Sequence, residues 1–107
     1  MGTIYILKGN KTMKKHIFYS LIMQNNKIIA KQWYGYTCGK FNYYKNEWGK
    51  WEAIEPTTGL SVTYSRNTRK ECEQAANTPG MLEKVKNAVT EELQEQFNKI
   101  IREQMTA

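Results

Sequence analysis

Few side chains in this sequence can act as nucleophile, base or metal ligand. There are two cysteines, Cys38 and Cys72, one histidine, His16, and ten acidic residues, all glutamate. Attack by a cysteine needs a general base beside it, and only His16 offers one. Cys72 falls on the small face of an expected helix and reads as a core residue, whereas Cys38 stands in an expected turn between Thr37 and Gly39, where its thiol is accessible. The cysteines are too few and too far apart for a disulfide framework or a zinc site, and His16 has no ligand partner at metal spacing. The glutamates lie mostly on helix faces expected to be solvated, so paired-carboxylate chemistry is unsupported. The reading is a non-enzymatic protein with no catalytic residue, metal or cofactor.

Binding chemistry is better represented. Lys31, Tyr34, Tyr36, Lys40, Tyr44, Lys45 and Trp48 interleave cations with flat rings in the middle of the chain. Ammonium groups neutralise phosphates and rings offer stacking faces, the two things a nucleic-acid strand requires. Alternation along strands places about half of the aromatics of this region in the core, and Trp33, Tyr43 and Trp51 can fall on either side. Arg66, Arg69 and Lys70 gather where a strand meets a helix start, a second place able to hold an anion.

Charge is divided along the chain. The net charge is +6; residues 1–50 hold nine lysines against one glutamate, and residues 71–107 hold four basic residues against seven glutamates. A basic half joined to a mildly acidic half orients an anionic partner by long-range steering. Composition is that of an ordinary globular chain, 40% hydrophobic and 24% charged over 107 residues, which suits one domain.

The elements that must position these residues can be read in order. Lys8–Met13 back-translates to AAA GGA AAT AAA ACA ATG, a ribosome-binding sequence followed by a start codon, so Met13 is expected to be the natural start and residues 1–12 to lie upstream of it. The competing reading of that stretch is an edge strand, Thr3–Leu7. His16–Gln24 and Lys27–Tyr36 are apolar runs joined by Asn25-Asn26, a hairpin signal. One face carries Ile17, Tyr19, Leu21 and Met23 and the other His16, Phe18, Ser20 and Ile22; both are largely apolar, so the strand is expected to be central. Phe41–Lys45 is a third strand. Trp51–Glu55 and Leu60–Ser65 form a hairpin around Pro56-Thr57-Thr58-Gly59, with Leu60, Val62 and Tyr64 on one side.

Thr68 three residues before Glu71 is a capping-box start for a short helix to about Ala76. Thr78-Pro79 starts another, whose Leu82, Val85, Val89, Leu93, Phe97 and Ile100 read as one stripe on a helix of about 25 residues, ~37 Å long. The expected fold is therefore α+β: an antiparallel meander of four or five strands within residues 13–65, then one short and one long helix within residues 68–105. The stripe outruns so small a sheet, and a homodimer through Leu93, Phe97, Ile100 and Ile101 would bury the overhang.

The order Trp51, then Thr-Gly-Leu-Ser-Val at 58–62, then Thr-Arg-Lys-Glu at 68–71 resembles a strand-turn-strand-helix ending found in small proteins of phages and other mobile elements. That resemblance implies an accessory protein, with counter-defence factors a recurrent class: an inhibitor that binds a host immune protein or sequesters an anionic nucleotide. The arrangement is also similar to the DNA-binding arm domain of some integrases, from which it departs by an extra strand pair and a long second helix. DNA or RNA binding by the basic, aromatic sheet is the alternative. Cysteine usage suits a reducing compartment, and no stretch reads as a signal peptide or membrane span, so the cytoplasm of a host bacterial cell is the expected location.

Overall fold

The computed structural model describes residues 4–6 and 12–106. Five strands, β1 (Ile4–Ile6), β2 (Thr12–Gln24), β3 (Lys27–Cys38), β4 (Phe41–Lys45) and β5 (Trp51–Ile54), precede three helices, α1 (Arg69–Ala76), α2 (Pro79–Ala88) and α3 (Glu91–Thr106). Sheet order follows chain order and every neighbouring pair is antiparallel, so the expected α+β meander forms. Of the edge-strand stretch Thr3–Leu7, Ile4–Ile6 pairs with Thr12–Lys14, while Thr3 and Leu7 lie outside the described residues.

Asn25 and Asn26 both take positive φ, 52° and 63°, which a two-residue turn requires if its twist is to match the strands it joins. That turn pairs Gln24 with Lys27, and counting outward fixes the register to Met13↔Cys38. The resulting arm is much longer than β4, which meets β3 only at Tyr36–Cys38. It leaves the β4–β5 sheet at Gly35, where a Cβ would stand 2.1 Å from the Tyr43 carbonyl oxygen; only glycine allows the two backbones so close. The sheet then curls. Leu21 N–H donates to Gly59 C=O at 2.8 Å, although β2 and β5 are three places apart and a flat sheet would separate them by ~14 Å.

Curling gives the sheet two different faces. On the convex face Cys38, Phe41, Tyr43 and Ala53 pack beneath Cys72 and Ala76 of α1 and Leu82 and Val85 of α2. On the concave face Phe18, Tyr44 and Ile54 pack with Trp33, whose ring stacks on Tyr44 at 4.2 Å. The turn after β5 is fixed by Glu55, whose carboxylate accepts from the backbone N–H and hydroxyl of both Thr57 and Thr58 at 2.6–3.0 Å.

Two expectations change. Residues 60–65 do not form an alternating strand: the chain returns along β5 through the isolated bridges Ile54↔Ser61 and Trp51↔Arg66 and a hydrogen bond from Val62 N–H to Ala53 C=O at 2.8 Å. Five steps on the return side face three on β5, so two residues are in excess and the backbone between the bridges bulges out of strict alternation. Thr63 is consequently buried against the Cys72 thiol, and Tyr64, expected inside, is 87% exposed.

The second helix is also not continuous. Val89 is extended (φ −81°, ψ 104°), and Thr90 restarts the helix by accepting from Leu93 N–H through its hydroxyl at 3.2 Å. Two β-branched residues followed by Glu91-Glu92 are a helix stop and an N-terminal signal in one. The break lets α3 fold back onto the turn after β5, where Phe97 is 5% exposed, so the overhang that motivated a dimer is absent. Leu93, Ile100 and Ile101 are half-buried. Thr68 caps α1 and Thr78 caps α2 as expected, with Pro79 in the first turn.

Candidate anion-binding face

Three neighbouring backbones set the centre of the site. Trp51 pairs with Lys45 on one side and, through two hydrogen bonds of 2.7 and 2.9 Å, with Arg66 on the other. Directly paired residues point to the same face of a sheet, so Lys45, Trp51 and Arg66 form a row on the convex side, cation–ring–cation. Both cations are solvent-exposed.

Tyr36 extends the row along β3. Its ring lies 6.1 Å from that of Trp51, with Lys15 Nζ 5.8 Å away and the Arg69 guanidinium 5.6 Å away. Lys15 reaches it because it is the direct cross-strand partner of Tyr36; Arg69 reaches it because α1 begins there. Two residues along β3 on the same face, Tyr34 is 65% exposed opposite Ile17. The one acid against this cluster among the described residues is Glu73, one turn after Arg69 and 3.5 Å from its Nε. Cations over ring faces hold those rings in place.

Of the residues singled out from the sequence, Tyr34, Tyr36, Lys45, Arg66 and Arg69 come together here, with Lys70 exposed beside Arg69. The others do not join them. Lys40 is exposed on the β3–β4 turn. Lys31 sits on the concave face, 4.4 Å over Trp33 and ion-paired with Glu47. Tyr44 is core, its hydroxyl pushed above the ordinary tyrosine range by burial, then by the nearby Glu52 carboxylate. Trp48 is 79% exposed on the β4–β5 turn, at the rim of a concave-side cleft of about 450 Å³. Glu47 and Glu52 outweigh Lys31 in that cleft, which makes it unsuited to an anion. Lys15 and Trp51 were missing from the sequence-based set, although counting back from the Asn25-Asn26 turn would have put Lys15 opposite Tyr36.

His16, the candidate base, is held by polar neighbours on one nitrogen. Thr37 and Asn42 both approach the same nitrogen of His16, Nε2, Asn42 at 3.0 Å, whereas a nucleophile–base–orienter relay uses the two ring nitrogens separately. Cys38, expected to be accessible, is buried at the end of β3 because its side chain points into the convex core. Burial pushes the Cys72 thiol up, away from the thiolate. Among the described residues no three His, Cys or Glu side chains gather as metal ligands, and no helix is long and apolar enough to cross a membrane. No protein-family model, curated protein or solved structure matches the chain.

Proposed function

We propose that this chain is a non-enzymatic binding protein whose partner is a phosphate-bearing molecule with flat bases, single-stranded nucleic acid above all. The observation that supports this reading is the convex row Lys45–Trp51–Arg66 continued by Tyr36 between Lys15 and Arg69. Four cations within reach of one strand of phosphates supply affinity, and the exposed ring of Tyr34 supplies a stacking face that tolerates any base. The acidic exposed residues of α3 lie on a separate helix and favour approach from the sheet side. In the phage or mobile-element setting that the strand-turn-strand-helix resemblance implies, such a face would cover a nucleic acid or sequester a nucleotide in the cytoplasm of the host cell.

Fluorescence anisotropy with a labelled twelve-nucleotide oligothymidine tests it. Lys45→Glu with Arg66→Glu should abolish binding, while Lys40→Glu, a cation outside the row, should leave it within about twofold. Equal loss from both would show a bulk-charge effect and refute a defined site.

A further inference from the structure

The arm formed by β2 and β3 has an open side. β2 pairs with the whole of β3, whereas β4 pairs with it only at Tyr36–Cys38, so among the described residues no strand lies on the other edge of residues 28–34. One place on that edge is filled. Ala30 N–H donates to Gln104 Oε1 at 2.7 Å, and Ala30 C=O accepts from Gln104 Nε2 at 2.8 Å. Both backbone groups of Ala30 therefore point away from Leu21, its partner in β2. In an antiparallel ladder this alternates, so the groups of Ile28 and Gln32 point outward as well. Among the described residues no hydrogen bond reaches those outward groups, and both residues are exposed.

A glutamine carboxamide presents an N–H and its C=O side by side, as a strand residue presents its own N–H and C=O to one neighbour in an antiparallel ladder. Gln104 makes to Ala30 the pair of bonds that an added antiparallel strand would make. We propose that the edge Ile28–Gln32 is a strand-addition site for an extended acidic segment of a partner polypeptide, with the Gln104 carboxamide standing where the N–H and C=O of that segment's central residue would lie. The acidic character follows from charge: β3 brings Lys27 and Lys31 to this edge and no carboxylate, and Lys31 would exchange its present partner, Glu47, for a carboxylate of the segment. A second copy would bring the same lysines to the same edge and be repelled, which is how natural edges avoid self-pairing. This site is separate from the convex cation–ring row and does not depend on it.

The test uses the full chain and an eight-residue peptide alternating valine and glutamate, followed by amide chemical shifts. The peptide should move the amides of Ile28, Ala30 and Gln32, its analogue N-methylated on alternate amides should not bind, and Gln104→Ala should bind the parent peptide about fivefold or more tighter. Gln32→Pro removes one outward N–H without touching the β2 ladder and should abolish binding in a protein that still folds. The proposal is overturned by no binding to either the parent protein or Gln104→Ala, by equal binding of the methylated analogue, or by shifts confined to Tyr36, Trp51 and Arg66, which would place the peptide on the basic face instead.

Discussion

Gly59 lies directly under the ring of Phe97: a Cβ added at residue 59 would meet Cε1 of that ring at 2.4 Å. Gly59 also has φ of +69°, and its carbonyl holds the Leu21 N–H of the curled arm. One residue thus joins the turn after β5, the outer edge of β2 and α3. Gly59→Ala should cost ~2–4 kcal/mol, from the left-handed backbone and from overpacking. Shrinking the ring with Phe97→Leu should relieve only the second part, so the double variant should be less destabilised than the sum of the singles. Strict additivity in denaturant melts would mean that the two residues do not touch.

The same contact reverses what the sequence suggested for Phe97. As an overhanging interface residue it would tolerate Phe97→Glu as a folded monomer; as a core residue it should not, because an unpaired carboxylate would be buried. Loss of the cooperative thermal transition is expected. A folded monomer from an otherwise dimeric protein would restore the interface reading.

Gly35→Ala should be more damaging than Gly59→Ala, since the added carbon would meet backbone, the Tyr43 carbonyl, at 2.1 Å. A side chain can turn aside and a strand in a core cannot. A shift of several degrees or more in melting temperature is expected; an unchanged melt would show that the arm does not leave the sheet at this point.

Much of this was legible. The Asn25-Asn26 turn, the strand order and the Thr68 and Thr78 caps follow from local chemistry and hold in the structure. What was missed depends on contacts between distant residues. Thr63 is buried and Tyr64 exposed because the return segment bulges between its two bridges, a local departure that alternation alone does not register. The break at Val89-Thr90 was hidden by a stripe whose spacing runs through it unbroken, although Thr90 before Glu91-Glu92 is a cap signal in its own right. The site divides in the same way: which lysines share a face with Tyr36 is set by cross-strand register, not by their nearness in sequence.

Alkaline stability carries a sign that follows from burial. Burial holds the Tyr43 and Tyr44 hydroxyls protonated well above the ordinary value of 10.0, and the Cys72 thiol above 9.0. Above pH ~10 the unfolded chain loses these protons while the folded one keeps them, so stability is full below that range and falls as pH rises through it, by ~1.4 kcal/mol per pH unit for each tyrosine. Tyr44→Phe should lessen the alkaline slope in denaturant titrations. An unchanged slope would mean that Tyr44 ionises freely in the folded state.

The central claim is a row of cations that meets phosphates, and its most direct test is the salt dependence of oligothymidine affinity. If Lys15, Lys45, Arg66 and Arg69 each neutralise one phosphate, log K should fall against log salt with a slope of about −3, a loss of roughly 50-fold between 50 and 200 mM. The Lys45→Ala, Arg66→Ala variant, which keeps two of the four cations, should halve that slope to about −1.4. A parent slope near zero, or a slope that the double substitution leaves unchanged, would contradict the account.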